Sequence, residues 1–593
     1  MENLAGSLNT ITGGLLGLIV AIGLGAGFSR FVGPIPSRWR LASSLLIGVA
    51  IIDLTVMLVL AWGGEILALK IAAACLAIIG CFALLRPQNV MQPWPQLGMR
   101  SNTERWFAGV IGVVIAINFL IAVAPSTKID ELYYHMLLPK RVLEDGGLYL
   151  YRQPYELAIF PQMAFQLGLS SLHAAGFPEA GNVFSWGLSS ALILLIAGVA
   201  ADLPGSSAAG WMTGAIAAVG LYTSVWHVTS GPHALGDLAT TIACLLALLP
   251  EKYIGELKAG TRLGLICLAS CTAASTKISI LPLSLALTAI GMQRIATQIG
   301  WKKALAIALG TWSVFYGPSL AWTTLQSGSP FGVATASLFR SNFFDAETVA
   351  QLDAARVANQ TGWYELLKTL APSVSVAMVA AFGVIALAAL VRERLFKILF
   401  ALVLGQAVLI GWLLPHDFRF LGGLQFPVLI LAVWVVCRSR FGGILMARWW
   451  MVLIGLCLPW LAVQAYYALP FVKVDAGFVS RESFRKEYVA FTEDFKALDR
   501  ILPQDAVIYV ANSRSPSFYA PRPVIFTLQD LKERGPLYRF MVGNVAGQEQ
   551  LTLSCGQTVY ENSQAIVETF RAAGRAPVRD RLRVQKCTAR ENP

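Results

Sequence analysis

The chain has 593 residues, of which 56% are hydrophobic and only 13% charged, with a formal net charge of +12. A soluble domain carries about 25% charged residues, so an ordinary soluble globule is excluded and an integral membrane protein is indicated. The positive balance matches the bases that gather in cytoplasmic loops. No basic-aromatic platform accompanies it, which sets nucleic-acid binding aside.

The start, "MENLAGSLNT", lacks the positive n-region of a secretory signal, so the first apolar run, 11–28, reads as a retained span. A membrane helix needs about 20 apolar residues. Further runs follow at 41–62, 66–85, 106–125, 178–202, 207–228, 234–250, 260–276, 278–293, 303–324, 372–391, 395–414, 418–437 and 449–468, giving about fourteen spans. Lys277 interrupts the pair at 260–293. The segment 157–175 is apolar but short and broken by Pro161. It reads as an interfacial helix, with a re-entrant segment as the alternative. Asp53 lies inside the second run, where an ionisable group is costly and often functional. The preferred reading is a structural pair with Lys70 across the short "GGE" hairpin; a transport role is the sharper one.

The loops between these runs alternate in charge. One set holds Arg30, Arg38 and Arg40; Arg86, Arg100 and Arg105; Lys252, Lys258 and Arg262; Arg294, Lys302 and Lys303; Arg392, Arg394 and Lys397; and Arg438, Arg440 and Arg448. Six of the seven loops on that face carry bases, "DLPGSSAAG" being the exception, so the positive-inside rule makes it cytoplasmic. The N-terminus, the loops 126–177, 229–233, 325–371 and 415–417, and the tail beyond about 470 then lie outside. All five histidines, His135, His173, His227, His233 and His416, fall at or near that side, although histidine is also simply tolerated at an interface.

The tail reads as a small α/β module. "YVAFTEDFKALDRIL" has helical spacing with Phe491, Phe495 and Leu498 on one face. "AVIYVAN", "PVIFTL" and "YRFMVG" read as strands, and "NSQAIVETFRAAG" as a helix ended by Gly574. Seven of the nine cysteines sit in apolar runs, where they act as small apolar residues. Cys555 and Cys587 are alone in the tail, on a face where disulfides persist. They are expected to pair, with two separate buried thiols as the alternative.

Polar chemistry collects on the outer face. "KIDELYYHMLLPKR" places Asp130 and Glu131 just past Pro125. In a helix, Asp130 shares a side with Tyr134 and Glu131 with His135, each at i,i+4. The stretch alone divides evenly between a capped interfacial helix, with Tyr133 and Tyr134 as interfacial aromatics, and an active site. Further on, "HVTSGPHALGDLATT" brings His227, His233 and Asp237, "STKISIL" brings Lys277, and "LPHDFRFLGGLQFP" brings His416, Asp417 and Arg419. Such groups can pair for structure alone, and they are also what an enzyme needs to bind a lipid phosphate and activate a hydroxyl.

The order "DELYYH", "ELAIFPQMAFQLGLSSL", "ALGDLA", "TKIS", "SGSPFG", "HDFRFLGGLQFP" resembles the GT-C membrane glycosyltransferases, the group that includes aminoarabinose transferases of lipid A and protein O-mannosyltransferases. The resemblance covers about 106–437, and the first three spans stand ahead of the usual core. It implies an α-helical polytopic protein with a GT-C-like core in residues 106–470, additional helices in 1–105 and an extracytoplasmic α/β domain in 471–593. It implies a bacterial inner-membrane enzyme that uses a polyprenyl-phosphate sugar and an acceptor hydroxyl on a lipid, polysaccharide or protein at the periplasmic face. Asp130 matches the catalytic base and Glu131 the second acid that follows it. Asp237 matches the second-loop acid, and Arg419 the donor-phosphate contact, with Lys277 as a further phosphate candidate. His135, Tyr134, His233 and His416 are candidate substrate contacts. "IFPQM" carries no lysine where the aminoarabinose subgroup has one, which leaves the donor open.

A carboxylate that takes the hydroxyl proton and a base that stabilises the leaving phosphate suit a single inverting displacement. Groups that suit a divalent metal are present, with Asp130 and Asp237 as the candidate pair; a metal-independent reaction is preferred. Two other readings compete. A lipid or polysaccharide flippase would concentrate polar groups at mid-membrane and often shows a repeat, and no clear repeat is visible. A polysaccharide polymerase or ligase would use loop arginines such as Arg340 and Arg356.

Overall fold

A computed structural model describes residues 2–32, 35–85, 99, 101–160, 162–221, 226–255, 257–358, 376–391, 394–413, 421–510, 515–531, 535–543, 553–569 and 577–589. The protein is mostly helical, with one small sheet near the C-terminus. The first helices are α1 (Glu2–Val32), α2 (Ser37–Ala61), α3 (Ile66–Leu84) and α4 (Asn102–Val123). The short α5 (Leu137–Glu144), α6 (Tyr155–Ala158) and α7 (Ala164–Ala174) form the loop that follows. Next come α8 (Gly181–Asp202), α9 (Ser207–Leu221), α10 (His233–Leu248), α11 (Ala259–Thr276), α12 (Leu281–Ile299), α13 (Trp301–Phe315) and α14 (Gly317–Ser327).

Among the described residues seven helices are long and apolar enough to cross a membrane, and up to nine if two bent pairs each make one span. This is a multi-pass membrane protein, and among its described residues fewer full-length spans stand than the fourteen apolar runs. The reasons are local. Of the run 207–228, residues 207–221 are described and helical, and the run 234–250 yields a helix of 16 residues, short for a bilayer core. The run 303–324 bends by 53° between α13 and α14, where Pro318 stands in the first turn of α14 and has no N–H to continue the ladder. The chain after Gln425–Arg438 turns by 102° into Arg440–Ala447. The interruption expected at Lys277 is present: its backbone leaves the helix at φ −155° and separates α11 from α12. The segment 157–175 forms only α6 and α7, neither long enough to span.

Every residue of α10 is buried, His233 and Asp237 included, so this helix runs through the middle of the bundle. At its C-terminal end, Arg262 donates to the carbonyls of Leu246 (2.8 Å) and Leu249 (2.7 Å), and Arg294 to that of Ala247 (2.7 Å). These cations cover orphan carbonyls at the negative end of the helix dipole. Arg38 pairs with Asp202 and Arg438 bonds the Tyr253 hydroxyl, so several of the loop bases gather at this end of the bundle.

The tail sheet runs in the order β2-β1-β3-β5-β4. Here β1 is Val507–Val510, β2 Val524–Ile525, β3 Leu537–Val542, β4 Leu553–Glu568 and β5 Val578–Ala589. Pairing is parallel for β1 with β2 and β3, and antiparallel for β5 with β3 and β4. The expected helix with Phe495 and Leu498 on its buried face is present as Thr492–Ile501. Phe491 precedes it and packs 5.1 Å from the Phe540 ring. The second expected helix is not there. Its residues up to Glu568 belong to β4, where Ala565 lies opposite Asp580 and Ile566 opposite Arg579; Gly574 lies outside the described residues. Long-range pairing with β5 overrides the local helical pattern.

Cys555 and Cys587 face each other across β4 and β5 and are joined by a disulfide. The bond closes a loop across 32 residues. Replacing both cysteines by serine is expected to cost the tail about 2–4 kcal/mol, read as earlier unfolding and faster proteolysis of β4 and β5.

The tail docks on the bundle through a buried ionic knot. Arg481 pairs with Glu179, and Arg485 lies 3.0 Å from the same carboxylate. The Tyr519 hydroxyl is 2.8 Å from Glu179 Oε1 and 3.2 Å from the Ser126 carbonyl. Arg481 also donates to Ser7 Oγ and the Val123 carbonyl, and its backbone N–H donates to Asn3 Oδ1 (2.9 Å). Burial alone raises the pKa of Glu179, but Arg485 and Arg481 outweigh it and hold the carboxyl below the usual glutamate range. Lys140 adds bonds to the carbonyls on either side of Tyr519, at Phe518 (3.0 Å) and Ala520 (2.8 Å), and the Arg152 N–H donates to Asp530.

Candidate functional site

The stretch "DELYYH" is held between the bundle and the tail. It forms a π-helical turn over Glu131–His135, closed by the Met136 N–H on the Glu131 carbonyl at 2.8 Å. The i,i+4 stacking expected of an α-helix is therefore replaced by a wider turn, a device often found where side chains are re-aimed. Glu131 is 1% exposed and accepts the Ser230 backbone N–H at 2.8 Å. His135, also buried, lies with Nδ1 2.8 Å from Gln166 Nε2 on α7. The Tyr134 ring centroid is 4.1 Å from that of His135. Tyr133, expected as an interfacial aromatic, packs instead edge-on to Phe526 of the tail at 5.2 Å. Asp130, at the start of this turn, is half-buried.

The loop at 226–233 brings the next groups. His227 Nε2 and Asp237 Oδ2 are 2.8 Å apart, both buried. His233 opens α10 four residues before Asp237 and stands ring to ring with His135, centroids 6.3 Å apart at 85°. Lys277 Nζ donates to His233 Nδ1 at 2.9 Å. One residue later the Ile278 N–H donates to Gln162 Oε1 at 3.3 Å, so the residue after Pro161 braces the Lys277 turn. Gly231 lies so close that an added Cβ would be 3.3 Å from both imidazoles.

Glu131, Tyr134, His135, His233, Asp237 and Lys277, from three distant stretches, thus meet at one end of the bundle. It is the end opposite the Arg262 and Arg294 caps of α10. The described end of the "HDFRFLGG" motif meets the same place. Gly423, at φ +81°, sits where an added Cβ would be 2.6 Å from the Asp237 carbonyl oxygen, and its own carbonyl accepts from Thr241. His416, Asp417 and Arg419 lie outside the described residues. Among the described residues no three carboxylate, imidazole or thiol groups gather as a metal site would need.

The chain matches no family model, no curated protein and no solved structure. The chemistry of this end is therefore read from its own residues.

Sequence reasoning missed the layer beneath the cluster. Asn182 donates to Ser126 Oγ (2.9 Å) and accepts from Ser230 Oγ (2.6 Å), which fixes the backbone amide that Glu131 accepts. Gln166 was one polar residue in an amphipathic stretch, and Glu179 one acid in an unremarked turn. His173 packs against Phe518 of the tail at 6.0 Å. Burial first, and then the nearby Lys140, hold its imidazole down at about 3, so it stays neutral at ordinary pH. Arg340 is exposed on a left-handed turn, and the side chain of Arg356 lies outside the described residues. Asp53 and Lys70 line one cavity, but among the described residues no ion pair joins them. At 1.5 Å per residue, Asp53 lies about 12 Å from the end of α2 and Lys70 only about 6 Å from the start of α3. The hairpin therefore sets them at different depths.

Proposed function

We propose that this protein is a membrane glycosyltransferase that moves a sugar from a polyprenyl-phosphate donor to an acceptor hydroxyl at the tail-covered end of the bundle. The observation that carries this reading is the meeting of the 130–135 turn with His233, Asp237 and Lys277. A half-buried carboxylate beside a cluster of bases suits proton removal from a hydroxyl opposite a leaving phosphate.

In this reading Asp130 is the general base. Glu131, which accepts the Ser230 amide, positions the 229–233 loop. Lys277, oriented by His233, meets the donor phosphate as a cation, and Arg419 is its expected companion. His227 orients Asp237 toward the substrate. Attack on the anomeric carbon expels the lipid phosphate in one step and inverts the centre; the hydroxyl proton passes to Asp130. About fourteen crossings, some through short or bent helices, place the loop bases in the cytoplasm. The cluster and the tail then face the periplasm of a bacterial inner membrane. The acceptor is a lipid, polysaccharide or protein.

Membrane vesicles containing the protein, supplied with radiolabelled polyprenyl-phosphate sugars and an envelope lipid extract, are expected to yield a labelled product resistant to the mild acid that cleaves the donor. Movement of the labelled donor between leaflets with no new glycosidic bond would favour the transporter reading. Growth of a polymer ladder would favour the polymerase.

A further inference from the structure

Helices α1, α2 and α3 stand outside the stretch that resembles a glycosyltransferase, and they build something of their own. Together with α7 and the start of α8 they enclose a cavity of about 390 Å³. Its lining is Ala, Leu, Val, Ile, Gly and Phe with only three polar side chains: Asp53, Lys70 and Ser171. Asp53 is 7% exposed, and among the described residues no hydrogen bond or ion pair reaches its carboxyl. A buried carboxyl without a partner is expensive, and an apolar pocket with one placed polar group is the usual form of a ligand site.

The location says what enters. Leu16, Lys70, Ala74 and Ala175 are the exposed members of the lining. Leu16, Lys70 and Ala74 lie on α1 and α3, both long and apolar enough to span. The mouth therefore opens sideways into hydrocarbon, and the occupant comes from the lipid phase. Its polar group is also constrained. A cationic head would pass Lys70 at the mouth against like charge, and an anionic head would meet Asp53 inside. A hydroxyl is neutral and both donates and accepts, so it satisfies the carboxyl in either protonation state. Asp53 also borders a second cavity, of about 20 Å³, shared with Thr272, Ser275 and Ser319.

We propose that α1, α2, α3 and α7 form a lateral site for one hydrocarbon chain that carries a hydroxyl, with Asp53 as its hydrogen-bonding partner. The site is distinct from the polar cluster and stands whether or not the chain transfers sugars. It touches the cluster through α7: Gly168, against which Asp53 Oδ1 packs so closely that a Cβ would lie 2.0 Å away, is two residues from Gln166, the partner of His135.

The test uses the full chain in lipid nanodiscs and three diazirine probes of equal length: a fatty alcohol, the matching alkane and the matching fatty amine. Crosslinks are mapped by mass spectrometry. The alcohol is expected to label α2, α3 and α7 about three- to tenfold more than the alkane, the worth of one net hydrogen bond. Asp53→Leu is expected to erase that preference. Ala74→Trp, a change on the lipid-facing rim that leaves the core intact, is expected to suppress labelling by every probe. Equal labelling by alcohol and alkane, stronger labelling by the amine, or labelling unchanged in Ala74→Trp overturns the proposal.

Discussion

Asp130→Asn is expected to lower sugar transfer by about 10²–10⁴-fold while the protein keeps its thermal midpoint and its docked tail. The two adjacent acids differ in what they hold. Glu131 is 1% exposed and accepts a backbone amide from Ser230, so Glu131→Gln disturbs the 229–233 loop and lowers stability and activity together. Asp130 is half-buried at the opening of the turn, the position that the proposed reaction assigns to the base. The amide of asparagine keeps the size of the side chain and removes its basicity. The check is an initial rate in vesicles with saturating labelled donor, set beside a melting curve for each variant. A loss below tenfold in Asp130→Asn moves the base to another residue. A large loss with an unchanged melting curve isolates the proton transfer.

The second large effect is on stability. Arg481→Ala is expected to cost about 3–5 kcal/mol, because it leaves the buried Glu179 carboxylate with half of its compensation. Arg485 remains at 3.0 Å and Tyr519 at 2.8 Å from that carboxylate, so the tail loosens before the bundle fails. The double variant Glu179→Gln with Arg481→Met is expected to cost less than the sum of the two single changes, since no buried charge is stranded. The same knot sets a pH dependence. The folded carboxyl of Glu179 sits below its ordinary value of 4.5. Its contribution is therefore fully present above that value and is lost as pH falls through the lowered folded value. Tail release, followed by limited proteolysis, should rise with acid in the wild type and lose that acid sensitivity in Glu179→Gln.

Features carried by short-range pattern were legible in the sequence, and those carried by distant partners were not. The break at Lys277 could be read because a lysine in the middle of an apolar run cannot stay there unpaired. The pairing of Cys555 with Cys587 followed from the count of cysteines in the tail. The run 234–250 stands as the 16-residue helix α10, because an apolar run fixes composition and not the point where a helix stops. β4 was misread because Ala565, Ile566 and Phe570 also fit a helical period. Glu179 and Arg481 are 302 residues apart and no local motif marks either. The π turn at Glu131–His135 escaped for a related reason. Five residues of ordinary helical composition give no sign that the ladder will slip by one.

The bonds between Asn3 and the tail bear on how the molecule is made. Asn3 donates to the Val479 carbonyl across 476 residues and accepts the Arg481 amide. Helix α1 is therefore fastened by residues translated long after it, 476 positions further on. At about 5–20 residues per second, α1 waits roughly half a minute to a minute and a half for that fastening. Until then Asn3 lacks both of these partners. Any slowing of synthesis before Arg481 lengthens that interval, and membrane quality-control proteases would meet α1 while it is still unfastened.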